Sequence, residues 1–139
     1  MITHETTLRV RYAETDQMGV VYHGNYLAYF EAARGDMIRD FGLSYGDLEA
    51  AGIIMPVTEA RLKYLRPVKY DALITLRSTI DTLPTRRLVV KAEVFDEAGK
   101  RCVEGHVELA FIDRHTGKTI DAPDSFTQIL LRRWPESNS

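Results

Sequence analysis

Between residues 12 and 26 the chain reads YAETDQMGVVYHGNY, and this stretch holds the side chains best able to do chemistry. Asp16 supplies a carboxylate, Gly19 a bend able to fold it back, and His23 an imidazole where a helical pattern begins. The first turn of a helix leaves backbone N–H groups unpaired at a partial positive end, so it can hold an oxygen on which negative charge develops. A carboxylate beside such an end is a minimal acyl-transfer apparatus: one group attacks or activates water, the other stabilises the tetrahedral oxygen. Plainer readings stand beside this one. Asp16 is equally suited to capping a turn or the helix, His23 to packing at a helix start, and Glu31, a second carboxylate, to solvation or ion pairing.

Other chemistries find little support. His4, His106 and His115 sit apart with no ligand spacing, so no metal is expected. There is no nucleophile elbow, phosphate loop or dinucleotide fingerprint. The single cysteine, Cys102, excludes an intrachain disulfide and lacks the surroundings of a reactive thiol; it reads as a strand filler.

The elements that must position Asp16 and His23 follow from periodicity. Leu8, Val10 and Tyr12 alternate with Arg9 and Arg11, predicting a strand over 6–12. Leu27, Phe30, Ala33, Met37 and Phe41 fall at helical spacing, predicting a helix over 25–41 that Gly42 stops. Tyr26, Tyr29 and Ala32 make its first half apolar nearly all round, whereas Arg34, Asp36, Arg39 and Asp40 let the second half face water. A short helix over 45–51 precedes strands over 53–65, 72–83, 87–95 and 101–113, with a turn at 66–71 and a hairpin link at 96–99. Residues 119–121 read as a last strand, 125–133 as a terminal helix and 135–139 as a frayed tail. Successive strands without crossover helices make the sheet antiparallel, and wrapping it around the helix gives the first half its cover: an α+β fold.

A chain of 139 residues is one domain's worth, and 45% apolar with 27% charged residues suffices for a core. With 18 Lys+Arg against 20 Asp+Glu, no basic excess exists to hold a nucleic-acid backbone, so no nucleic-acid partner is expected. No run approaches the roughly 18 apolar residues of a membrane span, and the start lacks a signal-peptide layout; a cytoplasmic address is expected.

The stretch from Arg11 through Leu27, followed by Phe30-Glu31-Ala32-Ala33-Arg34, resembles the signature of the 4-hydroxybenzoyl-CoA thioesterase family of hotdog-fold enzymes. The matching features are a Thr-Asp pair, Gly three residues after the Asp, His seven after it, then Asn-Tyr, Phe-Glu and Ala-Arg. Similarity continues through Tyr64-Leu65-Arg66-Pro67-Val68 and Asp71, so it covers residues 8–111. The resemblance implies a hotdog fold, a long central helix wrapped by a five- or six-stranded antiparallel sheet. It also implies acyl-CoA thioester hydrolysis with no cofactor of its own, coenzyme A being part of the substrate. In that scheme Asp16 is nucleophile or general base, the backbone N–H of His23 polarises the thioester carbonyl, and Gly19 and Tyr26 belong to the substrate pocket. Coenzyme A brings phosphates, for which Arg86, Arg87, Arg61 and Lys63 are the candidate partners.

A sheet on one helix leaves an edge uncovered, so a homodimer is expected. The resemblance adds edge-to-edge joining, sites at the subunit boundary, residues 57–63 completing the partner's pocket, and pairing of dimers into a homotetramer. Two other functions share the fold: an acyl-thioester hydratase or dehydratase, which would need the His23 imidazole, and a non-catalytic acyl-CoA-binding module.

Overall fold

The computed structural model describes residues 1–135, so most of the expected tail, 136–139, lies outside the described residues. In chain order the elements are β1 (Ile2–Arg9), a 3-10 turn (Tyr12–Glu14), α1 (Asn25–Asp40), α2 (Tyr45–Ala50), β2 (Ile53–Ile54) and β3 (Val57–Tyr64). There follow β4 (Leu73–Ile80), β5 (Arg87–Phe95), β6 (Arg101–Asp113), β7 (Thr119–Ile120) and α3 (Asp124–Arg133).

All strand pairs are antiparallel, and they form a seven-stranded sheet rather than one of five or six. Two short pieces make the difference. The run over 53–65 divides at Met55-Pro56, where proline has no N–H to give a ladder, into β2 and β3. β7 pairs the far end of β6, Phe111 with Ile120. β1 also lies earlier than periodicity suggested, in register from Ile2 opposite Ile80 to Arg9 opposite Leu73. The chain leaves the ladder because the Glu14 carboxylate accepts the Arg11 backbone N–H at 2.7 Å and folds residues 11–14 into a turn.

β6 is the spine, carrying β5 along one side and β3 along the other. Gly105 lets β3 approach closely: a Cβ built there would overlap the Arg61 carbonyl oxygen. On β4 and β5 the alternate residues Ile74, Leu76, Ile80, Leu88, Val90 and Val94 are buried, a period of two that presents one face to the core. α1 packs against β4 and β1 with Tyr26, Phe30, Ala33, Met37 and Ile38 buried. Each large apolar side chain so enclosed contributes about 1.5–3 kcal/mol. Phe126 and Leu130 of α3 join the same core, Phe126 lying edge-on to Phe111.

The end of α1 follows from Gly42, whose φ of +84° only glycine adopts freely. Gly42 N–H donates to Arg39 and Leu43 N–H to Ile38, the Schellman pattern. Three side chains depart from the expected pattern: Leu27 and Ala32 are exposed, and Arg34, expected in water, is buried at 6% exposure.

Candidate active site

Residues 14–22 form a tight hairpin. Thr15 bridges Val21, Asp16 N–H donates to Val20, and Tyr22 N–H donates to Glu14. The turn is Asp16-Gln17-Met18-Gly19, closed by Gly19 N–H on the Asp16 carbonyl at 3.0 Å, with Gly19 at φ +76°. Asp at the first turn position and a left-handed Gly after it suit this geometry. Asp16 Oδ1 accepts the Met18 N–H at 2.9 Å, so the carboxylate caps this turn and is oriented by it. The hairpin in turn docks on residues 68–70, Val21 N–H donating to Val68 at 2.8 Å.

The same segment anchors the helix. Asn25 Nδ2 donates to the Glu14 carbonyl at 2.8 Å, and the Tyr29 hydroxyl donates to Glu14 Oε1 at 3.1 Å. Burial pushes the Glu14 carboxyl up, but the Arg11 N–H and guanidinium and the Tyr29 hydroxyl outweigh it, leaving the group below its ordinary value. The Tyr29 hydroxyl is raised by burial and by that carboxylate. Gly24 occupies the cap position of α1 without a side-chain cap. Asn25 N–H donates to Tyr22 and Tyr26 N–H to His23, whereas no hydrogen bond among the described residues engages the N–H of His23 or Gly24. The helix start thus keeps donors for an incoming oxygen.

Asp16, His23 and Tyr26 line one pocket of about 310 Å³, together with Met18, Val20, Tyr64 and Arg66. Its aromatic wall is compact: the Tyr64 ring lies 5.7 Å from Tyr26 and 6.2 Å from His23, and Tyr22 stacks 4.4 Å from His23. The Tyr64 hydroxyl donates to the His23 carbonyl at 3.3 Å, steadying the helix start. Burial, with lesser effects of Cys102 and Tyr64, pushes the Tyr26 hydroxyl up to about 12, so it stays protonated near neutral pH. The pocket therefore combines a carboxylate, a helix N-terminus and an apolar wall, the parts needed to polarise a carbonyl and deliver a nucleophile to it.

The other sequence-predicted residues are distributed differently. Gly19 shapes the turn beside the pocket without lining it. Arg61 and Lys63 are exposed on β3, opposite His106 and Glu104, and neither forms an ion pair among the described residues. Arg86 and Arg87 line a separate pocket of about 400 Å³ and are paired with Asp121 at 3.2 Å and Glu108 at 3.4 Å. Within one chain they are not brought to Asp16. Glu31 faces yet another pocket, and no group of three His, Cys, Asp or Glu among the described residues is placed to hold a metal. Sequence reasoning overlooked Tyr64 and Arg66. Their signal was present in Tyr64-Leu65-Arg66-Pro67-Val68, which the sequence offers as the end of a strand, a turn and part of the family resemblance without giving either residue a place in the site.

Comparison with known proteins shows the family and the fold. Residues 10–130 match the profile of the Thioesterase-like superfamily. A 1,4-dihydroxy-2-naphthoyl-CoA hydrolase of Thermosynechococcus vestitus is 34% identical over 133 residues, spanning 94% of this chain and 89% of that protein. The acyl-CoA thioester hydrolase YbgC of Escherichia coli O6:H1 is 28% identical over 76% of this chain and 79% of its own. Among solved structures, a DHNA-CoA thioesterase from Staphylococcus aureus superposes with a TM-score of 0.88 at 37% identity, over 95% of this chain and 91% of that one. With the hairpin carboxylate and the uncapped helix start in one pocket, the chain belongs to the Thioesterase-like superfamily and has the hotdog thioesterase fold.

Proposed function

We propose that this thioester hydrolase cleaves an acyl-CoA to the free acid and coenzyme A at the pocket shared by Asp16 and His23. The observation that carries the reading is the meeting, in one pocket, of Asp16 with a helix start where the N–H groups of His23 and Gly24 have no described acceptor. The thioester oxygen sits against the His23 N–H, which strengthens its hold as the carbonyl carbon becomes tetrahedral. Asp16 either takes a proton from water as that water attacks, or attacks the carbon itself to give a mixed anhydride that water then opens. In both routes the carbon–sulfur bond breaks with its electron pair on sulfur, and the leaving thiolate collects a proton. The names of the relatives, hydrolases of acyl-CoA and naphthoyl-CoA thioesters, support the same reaction class.

Arg66 is the one Lys or Arg among the residues lining this pocket and suits a phosphate of coenzyme A at its mouth. Arg61, Lys63, Arg86 and Arg87 can supply further contacts from a neighbouring chain. β3 is exposed along nearly its whole length, pairs only β6 among the described residues, and ends at Tyr64, which lines the pocket. Such an edge favours association with an identical copy, giving a homodimer or homotetramer with the site at the boundary.

The test is release of free thiol from a panel of acyl-CoAs by the assembled protein, including 1,4-dihydroxy-2-naphthoyl-CoA, 4-hydroxybenzoyl-CoA and saturated chains. Turnover above the uncatalysed rate with at least one thioester is expected. Saturable binding without thiol release across the panel would refute hydrolysis.

A further inference from the structure

Glu14 stands two positions before Asp16 and Asn25 two positions after His23, and the fold ties these two flanks together. The Glu14 carbonyl oxygen accepts the Tyr22 N–H at 2.9 Å and Asn25 Nδ2 at 2.8 Å, so one oxygen anchors the chain on both sides of His23. Asp16 belongs to the same hairpin arm as that oxygen, its N–H donating to Val20 at 2.9 Å. The Glu14 side chain is fixed in turn. Its Oε1 accepts the Arg11 N–H at 2.7 Å and the Tyr29 hydroxyl at 3.1 Å, and its Oε2 accepts the Arg11 guanidinium at 3.1 Å. Asn25 and Tyr29 lie four positions apart on α1, hence one above the other on one face, and hold Glu14 at two successive turns, by its backbone and by its carboxylate. Tyr29 is buried and the Glu14 side chain is only 17% exposed, so water competes little for these bonds.

None of the three lines the pocket of Asp16 and His23; they border a separate cavity together with Ala28 and Ala32. Their effect on a reaction in the Asp16 pocket must therefore pass through other groups. On the basis of the hydrolysis proposed above, we propose that Glu14 is a positioning residue: clamped by Asn25 and Tyr29, it holds the Asp16 carboxylate at the separation from the His23 N–H at which both reach one thioester carbonyl. The carboxylate comes from the hairpin and the amide from the helix start, so a link between those two elements sets their spacing. A misplacement of about 1 Å from a change outside the chemistry can cost about 10²-fold in rate. The clamp touches no part of a substrate in that pocket, so loosening it lowers kcat and leaves binding of the uncleaved thioester unchanged.

The experiment measures kcat and KM for thiol release, at a temperature where melting curves show each protein folded, with the acyl-CoA of the panel that wild type cleaves fastest. Glu14→Gln and Tyr29→Phe should each lower kcat about tenfold, with KM within about twofold of wild type. The two combined should cost no more than the worse single variant, because the hydroxyl acts through the carboxylate. Two uncleavable probes complete the test. Phenacyl-CoA, an inert ketone, should bind the wild type and all variants alike. Trifluoroacetonyl-CoA, whose activated ketone takes up the nucleophile and presents an oxyanion, should bind each variant about tenfold more weakly. Glu14→Gln alters a part-buried charge and can fail to fold; Tyr29→Phe then decides, since it keeps the ring 5.8 Å from Tyr26 and removes only the hydroxyl. Unchanged kcat in folded Tyr29→Phe, a loss carried by KM, or equal weakening of both probes would overturn the positioning role. Asp16→Asn separates that role from the reading beneath it. An inactive Asn variant beside a fully active Tyr29→Phe refutes the clamp alone, whereas an active Asn variant refutes hydrolysis by Asp16 and the clamp with it.

Discussion

Asp16 has two duties that substitution can separate. Its Oδ1 accepts the Met18 N–H at 2.9 Å, which holds the turn, and its charge faces the pocket where the thioester is proposed to react. Asn retains the acceptor but not the charge, whereas Ala loses both. A hydrogen bond to a charged group contributes about 1.5–3 kcal/mol and one between neutral groups about 0.5–1.5. Asp16→Asn should therefore cost about 1 kcal/mol and Asp16→Ala about 1.5–3. For a chain of this size those figures correspond to melting-point losses of about 3 °C and about 5–10 °C. Hydrolysis should respond differently: both variants lose about 10²–10⁴ in kcat, the scale of a catalytic acid–base group. Thiol release and thermal melts on the three proteins give the comparison. Near-wild-type turnover by the Asn variant, with a deficit only in the less stable Ala variant, would refute the chemical role and leave Asp16 as a turn cap.

Glu14→Gln should lower stability near neutral pH by about 1–2 kcal/mol, since the neutral amide keeps an acceptor for Tyr29 but loses the Arg11 ion pair at 3.1 Å. Because the folded Glu14 carboxyl is held below its ordinary value of 4.5, its contribution is complete above that value and fades as pH falls through the lower folded value. Melting curves of wild type and Glu14→Gln should accordingly converge on going from pH 6 to pH 3, and a constant gap would refute the linkage. Gly105→Ala should destabilise by about 1–3 kcal/mol through overlap with the Arg61 carbonyl. Loss of hydrogen-exchange protection centred on β3 is the expected signature, and an unchanged protection map would refute it.

What the sequence revealed and what it hid follow from the range of the interactions involved. Asp16, Gly19 and His23 lie within eight positions, and their turn and helix-start geometry is local, so residue types alone announced it. Tyr64 and Arg66 reach the same pocket through the pairing of β3 with β6, a long-range register that no local pattern encodes. The helix was legible from its 3.6-residue stripe, yet the stripe misjudged Arg34, because α2 and the β2–β3 junction add cover beside it that a single sheet would not. The strand over 53–65 looked continuous because Pro56 interrupts hydrogen bonding without interrupting apolar character. The alternative use of Asp16 as a turn cap proved compatible with its place in the pocket: one oxygen holds Met18 and the same carboxylate lines the cavity.

That Asp16 caps its own turn rather than the helix has a chemical consequence. A helix start satisfied by a side chain has fewer donors left for a substrate oxygen, and Gly24, at the cap position of α1, supplies no side-chain cap. Stability and activity should therefore oppose each other at this end. Gly24 has φ −67° and ψ −19°, helical values that do not suit a side-chain cap, whereas Leu27, three positions on, is exposed. Leu27→Glu puts a carboxylate on the first turn of the helix, from where it can reach back to the N–H of residue 24 and bring negative charge to the proposed oxyanion site. The variant should melt at the wild-type temperature or up to about 3 °C above it, from about 0.3–1 kcal/mol of interaction between the new carboxylate and the helix dipole. Its kcat should fall by about 10²-fold or more, the scale of losing one oxyanion donor. A stabilised variant with undiminished thiol release would show that the helix start does not hold the developing charge, and the donor would have to be sought elsewhere in the pocket.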